Sequence, residues 1–487
     1  MDGCDGVAGA RALKIRSIIP HILALFFRGS PLITNSETRS EAVTLMRIAL
    51  PLSAAYLAEF SMFVTTKMVV GKLGYYELAA VGIAGNLSFE VLIILMGLLS
   101  IVGVLCAQAE GAGEKKQAGL AVRQGFIVSL LLGTPSMILV WHLDTILGWT
   151  NQDPRVLQLT VPYLHGLSAC VLPVLFFAVL RNFVSALARP QAVMAITGMA
   201  VLVNYLLTLW LVRGGWGVPP LGLFGAGLAT SIVSWLMFLA LLWHVYETAA
   251  LRGYGVFAER WKLDTTICKE IMVLGLPVAG LVFLEAGMFA AASILSGIIS
   301  AETLAAYEIV MAWVGIPFVI ALGIAEATMV RVAHGAGSNR LDTARQSGIL
   351  GILIGVLILI IMMIIPLGFA AYIIDIFIAP SDPGFTAVSL LSFEFLIIAA
   401  IFQVFDGLQA IAARALRGVK DSVAPLWIAG FGYWILGIGG GSWLAFWMDF
   451  GGAGLWWGLA MGLTTTGLLL AYRFHQLSRR LILDSAT

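Results

Sequence analysis

The chain has 487 residues, 60% of them hydrophobic and only 11% charged, against roughly 45–50% and 25% in an ordinary soluble domain. That balance excludes a soluble fold, and apolar runs longer than the roughly 20 residues needed to cross the hydrocarbon as a helix exclude an outer-membrane barrel. A formal net charge of +1 gives no electrostatic footprint for nucleic acid, which leaves an all-α, multi-pass membrane protein.

Residues 1–44 form a cytoplasmic N-terminal segment, in which Arg11, Lys14, Arg16, Arg28 and Arg39 surround an apolar run at 18–27. The run is too short to span and no small-x-small cleavage site follows, so it reads as an amphipathic surface segment rather than a signal peptide. Twelve spans are predicted after it. Six at 46–71, 78–106, 120–143, 158–186, 191–212 and 222–246 make an N-lobe (45–246). Six at 270–297, 303–329, 346–372, 386–415, 424–447 and 453–473 make a C-lobe (270–475). A polar cytoplasmic linker at 247–269 joins the lobes, and 476–487 is a cytoplasmic tail.

Orientation follows from the lysines and arginines. With the N-terminus inside, all but Lys67, Lys72, Arg155 and Arg213 of the 28 fall in cytoplasmic loops or the helix ends beside them. Both termini are therefore expected in the cytoplasm. The two halves repeat: Leu50-Pro51 is followed by Glu59 as Leu276-Pro277 is by Glu285, an offset of 226 (285 − 59). Leu78-Ala79-Ala80 recurs as Leu304-Ala305-Ala306 at the same offset, and the turn Gly111-Ala112-Gly113 recurs as Gly335-Ala336-Gly337. With an even number of spans, each copy begins on the same side, and the lobes are related by an axis along the membrane normal, with a cavity between them.

Glu59, Glu90, Glu285, Glu308, Glu394 and Asp406 fall inside predicted spans, where a central carboxylate costs about 2.5–3.5 kcal/mol even on a lenient scale. Such an acid can hold a proton and release it to an arriving cation, the chemistry of a cation-coupled antiporter. Asp406 has the strongest context, because Gln403, Asp406 and Gln409 recur every three residues as one polar stripe. Asn204 with Thr208 and Asn182 with Ser185 read as interhelical packing contacts. Lys67 follows Glu59 by two turns on nearly the same face, and reads as a side chain reaching for the outer interface rather than an acid's partner. Arginine and lysine otherwise look nearly absent from mid-membrane. Trp141, Trp149, Trp210, Trp216, Trp443, Trp447, Trp456 and Trp457 sit near span ends as an interfacial belt. The four cysteines have no metal-like spacing, and no phosphate-binding loop, Ser/His/Asp set or HExxH motif appears. The chain therefore reads as a non-enzyme, without direct ATP drive and without a cofactor.

From residue 45 to about 475 the sequence resembles the multidrug and toxic compound extrusion transporters, in particular the bacterial branch that pumps cationic drugs. The most specific motifs are Gly275-Leu276-Pro277-Val278 through Glu285, then Gln403-Val404-Phe405-Asp406-Gly407-Leu408-Gln409, and Leu416-Arg417-Gly418-Val419-Lys420-Asp421, with the paired Gly-Ala-Gly turns. The resemblance implies two pseudo-symmetric six-helix lobes in a V, alternating access in the bacterial inner membrane, and antiport of cationic or amphipathic small molecules against Na+ or H+. It marks Glu285 and Asp406 as the coupling acids, either one a Na+ ligand if sodium is the ion, and puts Glu308 where some relatives carry a polar or acidic group. One departure stands out: the family often has an aspartate in the first helix after a Phe-Val pair, but Phe63-Val64 is followed here by Thr65, Thr66 and Lys67. Coupling is then expected in the C-lobe, with Glu59 as a substitute in the N-lobe. The expected partners are substrate and lipid, with the protein a monomer. Two alternatives are a flippase for a lipid-linked anionic glycan, which would want a cationic cavity, and a non-transporting receptor or scaffold, which would need no titratable pair.

Overall fold

The computed structural model describes residues 36–150, 154–215, 217–257, 262–377 and 385–486. The apolar run at 18–27 and Trp216 lie outside them. These residues form helices joined by short turns, and the one β-pairing among them is an isolated bridge between Gly215 and Val218. The first lobe comprises α1 (Ser36–Gly71), α2 (Tyr75–Gly111), α3 (Lys115–Trp141), α4 (Pro154–Ser168), α5 (Val171–Ala186), α6 (Gln191–Arg213) and α7 (Gly222–Glu247). The second comprises α8 (Thr265–Ile299), α9 (Ala301–Gly337), α10 (Leu341–Phe377), α11 (Phe385–Gly418), α12 (Val423–Gly430), a π-helical stretch Phe431–Gly439, α13 (Gly440–Phe446) and α14 (Gly451–Ala486). Among the described residues eleven helices are long and apolar enough to cross a membrane, and the bent pair α4 and α5, counted as one span, brings the number to twelve.

Three departures from the predicted spans have local causes. The fourth span is broken, α4 and α5 meeting at 45°, because Pro173 has no N–H to offer the carbonyl of Ala169 and α5 restarts just before it. The eleventh span passes into a π-helix at a stretch holding Gly430, Gly432, Gly437, Gly439 and Gly440, a form that occurs mostly as short insertions at functional positions. The last helix runs on to Ala486, so the expected tail continues it. Pro51, Pro277 and Pro317 are carried inside continuous helices, while α10 leaves helical geometry at Phe369, three residues after Pro366.

The described ends of the linker are tied to the first lobe. Arg123 Nη1 donates to the Gly255 carbonyl at 2.5 Å, Gln124 Nε2 donates to that of Lys262 at 2.9 Å, and Gln124 Oε1 accepts from the Asp264 amide at 3.1 Å. Asp264 Oδ1 in turn accepts from the amides of Thr266 and Ile267 and caps α8, satisfying donors that a helix start leaves open.

Lipid offers apolar side chains no drive to leave it, so close packing of small residues holds such helices together. The lobes meet along two antiparallel pairs, α1 with α9 and α2 with α8, and are most tightly joined at the end that carries the basic loops. There Glu41 accepts from Arg331 Nε and Nη2 at 2.7 and 2.6 Å, and Gln108 Nε2 donates to the Gly418 carbonyl at 3.1 Å. The two Gly-Ala-Gly turns also meet: a Cβ on Gly337 would strike the Gln108 backbone, and one on Gly111 the carbonyl of His334. The repeat thus supplies matching glycines at one seam. Gly337→Val, which must push backbone from backbone at about 1–3 kcal/mol, is expected to slow transport about tenfold at equal protein level; a parental rate in vesicles would show the close approach to be dispensable.

Trp456 departs from the interfacial belt. It is fully buried among Tyr307, Phe395 and Phe402, whereas Trp149, Trp443 and Trp447 are exposed as expected.

Candidate coupling site

The polar stripe of α11 faces the interior of the C-lobe, and Gln403, Asp406 and Gln409 are each only 2% exposed. Gln409 organises the group. Its Nε2 donates to Glu285 Oε1 on α8 at 2.9 Å, and its Oε1 accepts from the Tyr433 hydroxyl at 2.8 Å. Tyr433 comes from the π-helical stretch, so three helical segments converge on one amide. Asp406 and Glu285 are near enough for their charges to repel each other, while Arg414 and Arg417 attract the Glu285 carboxylate and Glu90 repels it.

The deep side of this group is unsatisfied. Asp406 Oδ1 and both amide atoms of Gln403 are buried without a hydrogen-bond partner, and each such group costs on the order of 1–3 kcal/mol, more if charged. A proton on the carboxylate, or a dehydrated cation held by the carboxylate and the Gln403 amide oxygen, lowers the cost at the oxygens. The donor set is all hard oxygen, suited to H+ or an alkali cation rather than a transition metal. Among the described residues no group of three or more His, Cys, Asp and Glu side chains assembles.

The remaining sequence candidates are elsewhere. Glu308, on α9, is exposed and accepts from Ser293 Oγ at 2.9 Å. Glu59 lines a separate N-lobe cavity of about 160 Å³ with Met62, Phe63, Phe89, Met96 and Phe177. Its charge is already matched: Arg181 Nη1 lies 2.8 and 3.0 Å from its two oxygens, with the guanidinium 4.8 Å from the Tyr56 ring centre. Glu394 is exposed, and Glu90 keeps one buried oxygen without a partner. Thr66 Oγ1 donates to Asn204 at 3.1 Å, and Asn182 to the Leu99 carbonyl at 3.1 Å, so both asparagines are interhelical contacts as expected, whereas the Thr208 and Ser185 hydroxyls are buried without a hydrogen-bond partner.

The expectation that arginine is nearly absent from mid-membrane is corrected. Arg181 is 6% and Arg417 5% exposed; both side chains run back from their helix ends into the protein, Arg181 to Glu59 and Arg417 to Ser100 Oγ at 2.8 Å. Arg414 pairs with the buried Glu326 at 3.4 Å. A long side chain covers more than a helical turn, so a position near the end of a span does not fix where its charge sits. Tyr433 and Glu326 carried no signal beyond their types, although Glu326 sits in an apolar run that could have marked it.

Fold and site together define a two-lobed, multi-pass membrane transporter. The MatE family model matches residues 51–210 and again 277–443, repeating at the offset of 226 (277 − 51) seen between the Leu-Pro stretches. The chain belongs to the multidrug and toxic compound extrusion family. It is 36% identical to "Probable multidrug resistance protein NorM" of Mesorhizobium japonicum over 445 residues, covering 91% of this chain and 95% of the relative. It is 33% identical to "Multidrug resistance protein NorM" of Burkholderia vietnamiensis, covering 91% and 95%. The fold is also that of a solved MATE transporter described in an outward-facing conformation, with a TM-score of 0.82 and 17% identity, covering 91% of this chain and 96% of that one.

Proposed function

We propose that the protein is a secondary active exporter of organic cations, exchanging them for Na+ or H+ across a bacterial inner membrane, with both termini in the cytoplasm. The observation that carries this reading is the unpartnered Asp406 Oδ1 beside Gln403, in a group tied by Gln409 to Glu285. Such a carboxylate gains most from a proton or a cation, and an ion that binds one lobe arrangement better than another shifts the balance between them. The basic loops gathered at the closed end support an outward-open state, and the multidrug names of the relatives support a drug-like cargo.

The interior arginines do not favour an anionic lipid-linked glycan. Arg181 and Arg414 are matched by Glu59 and Glu326, and the charge of Arg417, which donates to the Ser100 hydroxyl, is outweighed by Glu285, Asp406 and Glu90. The test is uptake of a fluorescent organic cation such as ethidium into proteoliposomes under a Na+ gradient alone and a pH gradient alone. Uptake under one of them is expected and names the ion. Uptake under neither rejects the antiporter.

A further inference from the structure

The seam between α1 and α9 can be followed rung by rung. Glu41 pairs with Arg331, Ser53 Oγ donates to the Ile320 carbonyl at 3.0 Å, and Phe60 lies beside Gly315, where an added Cβ would be 3.7 Å from its ring. Residue numbers rise on α1 as they fall on α9, as antiparallel helices require. Seven residues make two turns, about 10 Å along the axis, and return to the same face. The position seven past Phe60 therefore faces the position seven before Gly315, at the end away from the basic loops. Those positions hold Lys67 and Glu308.

The three inner rungs are made, and this one is not. Lys67 Nζ lies 3.3 Å from Asn86 Oδ1 and 4.1 Å from the centre of the Phe63 ring, both in its own lobe. Glu308 is held by Ser293, also in its own lobe. Opposite charges thus stand at matching heights on the facing ends of the two helices, each held by a partner in its own lobe.

We propose that Lys67 and Glu308 form a latch that shuts the end opposite the basic loops, pairing across the lobes when that end closes and the Glu41–Arg331 pair parts. Asn86 and Ser293 are the parking partners of the open state. An ion pair present in only one of two states biases them by its own strength, so two such pairs at opposite ends of one helix pair favour either closed form over one open at both ends. The latch rests on the alternating-access reading of the preceding section.

The test uses the full-length protein in proteoliposomes, with Cys4, Cys106, Cys170 and Cys268 replaced by serine or alanine and transport by this background checked first. Lys67→Cys with Glu308→Cys is expected to cross-link with a short bifunctional thiol reagent, more so when the driving ion is present, and cross-linking is expected to stop transport until a cleavable link is reduced. Separately, Lys67→Glu and Glu308→Lys are each expected to slow transport at least threefold, and the exchange of both to recover most of it. Failure to cross-link under any ion condition, or a charge exchange no faster than either single variant, overturns the latch while leaving the exporter standing if the background transports. A background without gradient-driven transport overturns both.

Discussion

Asp406→Asn and Glu285→Gln are each expected to lower gradient-driven efflux by about ten- to a hundredfold, the equivalent of losing one charged interaction of about 1.5–3 kcal/mol. The substitutions keep shape and remove exchange. Glutamine at 285 can still accept the Gln409 hydrogen bond through its carbonyl, so the bridge to Tyr433 survives. Asparagine at 406 leaves the helix packing intact and takes away a carboxylate whose Oδ1 has no donor. Protein yield and melting temperature are therefore expected to stay at the parental level or rise, since an unsatisfied buried charge is removed. The measurement is initial efflux rate in vesicles at matched protein amount under the gradient found to drive the parent. Parental rates in both variants would dissociate this group from coupling, whatever the fold.

Arg181→Met is expected to be the most destabilising of the single changes considered, by about 3 kcal/mol at the low end of the range for breaking a buried pair. It strands Glu59 in a cavity lined mostly by apolar side chains. The low end applies because the Glu59 side chain is 26% exposed against 8% for that of Arg181, so the freed carboxylate keeps some access to water. Adding Glu59→Leu is expected to return most of the loss, because replacing both members of a buried pair by apolar groups is often near neutral. Denaturation in detergent, followed for both single variants and the double, gives the coupling directly. Independent, additive losses would mean that the two charges are neighbours with no energetic coupling.

Much of the architecture was legible because a membrane restricts the choices. Apolar runs of sufficient length can only be helices, and the Leu-Pro…Glu repeat by itself implies two copies. The stripe at Gln403, Asp406 and Gln409 was legible for a related reason, since three-residue spacing on a helix has one geometric meaning. The bend at Cys170 and the π-helical stretch were less so: a proline or a glycine run permits a break without requiring one. Tyr433 entered the site only through that stretch, and nothing in its neighbours along the chain marks it. The arginines misled because a residue's place in a loop count says where its Cα lies, while its charge lies up to a turn and a half away. Charge pairing between lobes, as at Glu41 and Arg331, 290 positions apart, is invisible to any local pattern.

Asp264 gives the tether between the two bundles a mechanical character that a polar connector of some twenty residues would not suggest. Its amide is fastened to Gln124 on the first bundle and its carboxylate to the opening turn of the second. These bonds fasten the start of the second bundle directly to the first. A rotation of one bundle on the other about that point would be small beside it and wide at the far rim.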